Sequence, residues 1–237
     1  VAAQAVVRLG GRARLLSRRG DDPAGHSLEE RIRAEGIEPV FALGQRTPVS
    51  AVLVTPQAER YIFPYRGELP TEFELDADQV LAGAQALLLD HRWSQASLPL
   101  AQRARQLGLS VVLDLDHDRP EAWELVPHCT HVVASGELAA ELGGVEALLD
   151  RLPVWGAVTM GEEGVWYRGG YLPAFTVMAT DSTGAGDVFH GAFALALAEA
   201  QPPLEALRFA AAVAALHVQE GQPPDRSSTE QLLAHNL

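Results

Sequence analysis

Residues Asp181-Ser182-Thr183-Gly184-Ala185-Gly186-Asp187 place a carboxylate at each end of a run of small residues, directly before an apolar, helix-like stretch over 188–199. Small residues at a turn into a helix leave backbone N–H groups uncovered at the helix N-terminus, where amides and dipole together favour an anion. The stretch from Thr176 reads as the strand that enters this turn. Asp187 then has two readings. It can cap the helix, as carboxylates at helix starts commonly do. Alternatively, it can take a proton from a substrate hydroxyl while the amides of Gly184, Ala185 and Gly186 hold the charge on a transferring phosphoryl group. A dinucleotide fingerprint does not fit, because the position that would need a third glycine holds Phe189.

Other chemistries are excluded by what is missing. All 18 basic residues are arginine, so neither a P-loop lysine, a kinase-strand lysine nor a Schiff-base amine can be supplied. The one cysteine, Cys129, is flanked by His128 and His131, too few ligands for zinc, and reads as a small buried residue. A formal charge of -13 argues against nucleic-acid and anionic-membrane partners. With no long apolar span and no leader-like opening, a cytoplasmic protein acting on a small molecule is expected.

These residues need a scaffold, and 237 residues with 47% hydrophobic content suffice for one substantial core. From residue 86 onward, strand-like runs at 86–89, 110–115, 131–134 and 154–159 alternate with helical runs at 98–107, 137–142 and 145–152, the rhythm of βαβ units and a parallel sheet. The runs 49–54 and 60–65, joined by Thr55-Pro56-Gln57-Ala58-Glu59, break that rhythm as a hairpin. It reads either as a lid over a site at the strands' carboxyl ends or as an antiparallel edge of the sheet. Residues 1–9 read as a helix and 13–17 as a strand, as though the chain began inside an element. Arg8, Arg12, Arg14, Arg18 and Arg19 read either as an anion patch or, the favoured reading, as a solvated surface.

The run Asp181 to Phe193 resembles the C-terminal signature of the ribokinase-like (PfkB) carbohydrate kinases. Gly20-Asp21-Asp22-Pro23-Ala24-Gly25 is similar to that family's Gly-x-Asp-x-x-Gly turn, and Thr159-Met160-Gly161-Glu162-Glu163-Gly164 to its nucleotide loop. The resemblance implies an α/β, ribokinase-like three-layer fold with a mostly parallel central sheet: one kinase domain over 1–237, its first strand missing, with a small β lid at about 49–67. It implies ATP and Mg²⁺ as cofactors and a sugar as substrate. By position, Asp187 matches the base, Gly184, Ala185 and Gly186 the anion hole, and Thr159, Gly161 and Gly164 the ATP loop. Ala211 falls at the adenine border, and Asp181 and Thr183 match a monovalent-cation site, K⁺ in activated members. Lid pairing implies a homodimer.

Around Asp90-His91-Arg92-Trp93, 111–116 and 132–143 the chain looks most like the ketohexokinase and sulfofructose kinase branch. The family's Asn-x-x-Glu motif would fall at 136–139 and lacks both polar ends, as in ketohexokinase-like members; Gly221 to Arg226 is shorter than the usual adenine loop. Arg92, at the carboxyl-end rim of the strand at 86–89, reads either as a grip on an anionic substrate group or as a salt-bridge partner. Asp114 and Asp116 alternate on the end of the next strand and point to one face; they read either as a pair of which one touches the site or, the favoured reading, as a solvated rim pair. The expected activity is ATP-dependent phosphorylation of a ketose or related sugar. Rival readings are a nucleoside or vitamin-like alcohol kinase of the same fold, or a non-catalytic nucleotide- or sugar-binding regulator.

Overall fold

The computed structural model describes residues 1–54, 60–72 and 74–235. The turn expected at Thr55 to Glu59 lies outside them. The chain forms two compact units, Val1–Arg12 with Ala77–Leu237, and Ala13–Asp76. Helix α1 (Ala2–Arg8) belongs to the first.

The smaller unit holds β1 (Arg14–Gly20), α2 (Pro23–Ala34), β2 (Glu38–Gly44), β3 (Val49–Val54) and β4 (Arg60–Tyr65). Strands β1 and β2 pair in parallel, from Arg14 opposite Glu38 to Gly20 opposite Gly44. Asp22 organises the turn between β1 and α2. It caps α2 by accepting the Gly25 N–H at 2.8 Å, and it accepts the Thr47 hydroxyl and N–H at 2.6 and 2.9 Å. Those hydrogen bonds, the Thr47 hydroxyl first, draw the Asp22 carboxyl down to about 2. Arg19 departs from the solvated reading of the early arginines: it is buried and gives two hydrogen bonds to Glu29 Oε2, at 2.9 and 2.7 Å. Among the described residues, strands β3 and β4 pair antiparallel only with each other, as a two-stranded sheet of their own, which speaks against the sheet-edge reading. Val49, Val52, Leu53, Tyr61, Phe63 and Tyr65 of this hairpin are exposed.

The larger unit continues with α3 (Ala77–Leu81), β5 (Ala86–Leu89), α4 (Ser94–Gln106), β6 (Ser110–Leu115), α5 (Pro120–Leu125), β7 (His131–Ser135), α6 (Gly136–Glu141), α7 (Val145–Arg151) and β8 (Trp155–Thr159). Strands β9 (Val165–Tyr167) and β10 (Gly170–Leu172) follow, then α8 (Ala185–Ala198), α9 (Pro203–Glu220) and α10 (Arg226–His235). The sheet order is β10-β9-β8-β7-β6-β5, with β5 to β8 parallel and β9 and β10 antiparallel. Both faces are buried, so the strands are nearly continuous apolar runs. Alternation sends Val112, Val133 and Ala157 into one cluster with α1, α8 and α9. Leu113, Val132 and Val158 point the other way and are also fully buried. The result is sheet between helical layers, as expected.

Two further expectations are corrected. Residues 173–179 form no strand. The segment leading into Asp181 is instead tied to the end of α9, with the Thr180 and Asp181 N–H groups donating to Val218 O at 2.9 and 3.2 Å. Helix α4 begins at Ser94, a turn before the expected start, and carries Pro99 inside it. Among the described residues, no helix is long and apolar enough to cross a membrane.

Candidate active site

A cleft of about 710 Å³ opens where β6, β7 and β8 end, and the first turn of α8 faces it. Asp114 and Asp116 come from the end of β6, Ser135, Gly136 and Glu137 from the β7–α6 junction, Thr159, Met160 and Gly161 from the end of β8, and Gly184, Gly186, Asp187 and His190 from α8. This is the carboxyl-end position at which open α/β sheets hold ligands.

The start of α8 bears on the two readings of Asp187. Gly184 is the N-cap residue, with φ +80°, and no side chain caps the helix. That left-handed backbone is one glycine adopts at little cost. Asp187 therefore sits in the first turn without capping it, its exposed carboxylate on the cleft. The Ala185 N–H donates to Ser182 O at 3.1 Å, and Gly184 and Gly186 of the small-residue run line the cleft. The turn is held from behind. His217 Nε2 lies 2.9 Å from Thr183 O, and the Thr183 N–H donates to Asp181 Oδ1 at 2.9 Å.

At the end of β8, the Thr159 hydroxyl donates to Ala134 O at 3.3 Å and the Met160 N–H to Gly164 O at 2.8 Å, closing the loop over 159–164. Gly164 has φ +94°, and a Cβ there would stand 2.3 Å from Leu172 O, so only glycine lets β10 pass this close.

The β6 carboxylates are not a solvated pair. Asp114 shares a sheet face with Val112 and meets His190 Nε2 at 3.5 Å. Burial raises its carboxyl above the usual range, against the pull of His190. His190 is itself buried, with Nδ1 2.6 Å from Gly186 O and Nε2 3.3 Å from Val133 O, so one ring joins the α8 turn to the sheet. Asp116 Oδ2 accepts from Arg92 NH2 at 2.5 Å, and Asp90 Oδ2 lies 3.3 Å from Arg92 NH1. Burial works to raise the Asp116 carboxyl; the Arg92 guanidinium and the His117 ring outweigh it and hold the group below the usual carboxylate range.

Comparison with known proteins gives the family. Residues 2–229 match the model of the pfkB family carbohydrate kinases. The chain belongs to that family. It is 27% identical to a ribokinase of Bacillus subtilis over 252 residues, covering 98% of this chain and 85% of the relative. A fructokinase of Solanum tuberosum is 28% identical, covering 90% of this chain and 77% of that one. Among solved structures, a putative ribokinase from Agrobacterium tumefaciens matches with a TM-score of 0.89 at 32% identity, over 99% of this chain and 84% of its own. Arabidopsis thaliana ribokinase complexed with ribose and ATP matches with a TM-score of 0.84 at 25% identity, over 98% and 85%. The fold is thus ribokinase-like, and the protein is an ATP-dependent sugar kinase of this family.

In this kinase the cleft gathers Asp187, Gly184, Gly186, Thr159 and Gly161 from the residues singled out in the sequence. Gly164 closes the loop beside them. Ala185, Arg92, Asp181, Thr183 and Ala211 are not among the described residues that line the cleft; Ala211 lies partly buried in α9 against the core. Glu137, Ser135 and His190 were missed. Ser135 caps α6 by accepting the Leu138 N–H at 3.1 Å, and Glu137 reaches the cleft from that helix's first turn. The rule that marked Arg92, a polar residue just past a parallel strand, would have found both. Cys129 is buried, its thiol pushed up to about 12 by burial, and takes no part.

Proposed function

We propose that the kinase transfers the γ-phosphoryl group of ATP to a hydroxyl of a ketose or related sugar, with Asp187 as general base and the amides at 184–186 as anion hole. The observation that carries this is the cleft-facing Asp187 carboxylate on a helix start that no side chain caps. The sugar O–H proton passes to the carboxylate, a bond forms from the hydroxyl oxygen to the γ-phosphorus, and the bond to the β-phosphate oxygen breaks with its electron pair leaving on ADP. The N–H groups of Gly184 and Gly186 stabilise charge on the transferring oxygens, with Ala185 holding the turn through Ser182.

Asp114, Glu137 and Asp187 give the cleft an acidic wall of hard oxygen donors, which fits Mg²⁺ and disfavours a bare triphosphate. Mg²⁺ carried by the nucleotide and water, with Glu137 facing it, would neutralise phosphate charge. Thr159, Gly161 and Gly164 form the nucleotide loop, and Ala211 borders the adenine. Asp181 and Thr183 are the residues for a K⁺ ion; their mutual hydrogen bond orders them in advance. An anionic substituent on the sugar would be gripped by Arg92, in exchange for part of its pairing with Asp116 and Asp90. Residues 1–237 act as one kinase domain, and the β3–β4 hairpin is its lid, whose exposed apolar side chains support homodimerisation through it.

The test is ADP release from Mg-ATP across ketoses, aldoses including the ribose of the Arabidopsis relative, nucleosides, and phosphorylated or sulfonated sugars, with Asp187→Asn as control, each with Na⁺ or K⁺. Turnover of a ketose class, lost in the variant, is the expected result. Turnover of nucleosides alone would replace the substrate assignment, and undiminished turnover in Asp187→Asn would remove the base.

A further inference from the structure

Two loops outside the α8 cradle meet beside the cleft. Asp90-His91-Arg92 follows β5, and Asp116-His117 follows β6; the strands are parallel neighbours with Leu89 opposite Leu113, so their carboxyl ends bring the loops together. One donor atom each from His91, Asp116 and His117 lies within 4.8 Å of the others. His91 Nδ1 is 3.7 Å and His117 Nδ1 2.9 Å from Asp116 Oδ1. His91 Nδ1 is a buried atom with no hydrogen-bond partner among the described residues, and Asp116 Oδ1, equally buried, has His117 Nδ1 at ion-pair distance without a well-directed hydrogen bond. An orphaned buried nitrogen is costly, and one that faces an under-bonded carboxylate oxygen calls for a shared partner.

We propose that His91, Asp116 and His117 form a site for a borderline transition-metal ion such as Zn²⁺, bound through both Nδ1 atoms and Asp116 Oδ1. Metal–ligand bonds of about 2.0–2.1 Å at tetrahedral angles put neighbouring donors roughly 3.3 Å apart. The 3.7 and 2.9 Å separations bracket that value. Two imidazoles with one carboxylate favour zinc, cobalt or nickel over Mg²⁺, which prefers oxygen. Arg92 acts from outside: it binds the other Asp116 oxygen, Oδ2, and so turns Oδ1 towards the histidines. Asp90 balances the guanidinium charge. His117, the most exposed of the three, gives the ion a route in.

The probe is Co²⁺, added to the whole chelator-stripped protein and followed by its visible ligand-field absorption, with bound metal counted by equilibrium dialysis. One Co²⁺ per chain, displaced by Zn²⁺ but not by excess Mg²⁺, is expected. His91→Ala and His117→Ala should each weaken binding by more than about tenfold, and the pair should abolish it. His26→Ala, which removes a histidine far along the chain, should leave it unchanged. Folding of each variant is checked by circular dichroism, and the wild-type titration needs no variant at all. No stoichiometric uptake by the wild type, binding that survives the double substitution, or equal competition by Mg²⁺ would each overturn the assignment. None of these readouts uses phosphoryl transfer.

Discussion

At the third position of α8, Asp187 has the place of a capping carboxylate and does not cap. Its removal should therefore cost catalysis far more than stability. Asp187→Asn is expected to lower kcat by several orders of magnitude, with ATP affinity and the denaturation midpoint nearly unchanged, as read by ADP release, nucleotide titration and urea unfolding. A second prediction concerns His131, packed beside Trp155 and Phe193 with its pKa drawn down by burial to about 4, against 6.5 for a free imidazole. Between those values the unfolded chain binds a proton that the folded chain does not, so stability rises with pH across this window. The contribution is full above 6.5 and gone below about 4. It is on the order of 2 kcal/mol after allowing for partial exposure. Urea midpoints measured from pH 4 to 7 should show the slope, and His131→Gln should flatten it. Single residues were legible where a motif fixed them. Asp114 and Asp116 were misread because alternation on a strand tells that two side chains share a face, not whether that face is covered; here His190 and Arg92 cover it.

Elements were most legible where burial is two-sided. Strands β5 to β8 are short apolar runs, and their limits fall close to those read from the sequence. Helix α4 starts at Ser94, a turn before the run at 98–107 that the apolar spacing marks, and continues through Pro99. The segment before Asp181 was read as a strand from its apolar residues. Its partner is the end of α9, a contact with no local signature. The loop over 159–164 gives the prediction at this scale. Gly164→Ala places a Cβ against Leu172 O with a backbone that alanine resists, and should cost about 2–3 kcal/mol in urea unfolding. The ATP KM should rise more than the sugar KM, because the loop and not the α8 turn is displaced.

For the whole molecule, family membership and the α/β class follow from a few motifs, while the partition into two compact units was not visible in the sequence. The reason is physical: β1 and β2 have the same βαβ rhythm as the larger sheet, yet among the described residues they pair with no strand but each other. The hairpin carries the prediction here. Light scattering should give a dimer, and Leu53→Glu with Phe63→Glu, which charges two exposed apolar positions, should give a monomer of unchanged circular dichroism.

Ten consecutive residues of α8, from Val188 to Leu197, are buried, while Asp187 just before them is exposed. One helix thus joins a reactive end to the least accessible backbone of its unit. In deuterium exchange, the amides after Val188 should open only with unfolding of that unit, whereas those of the first turn should exchange fast and slow sharply when nucleotide arrives. The kinase would then register its substrate as a step in protection located within a single turn, against an interior that acts as a fixed reference.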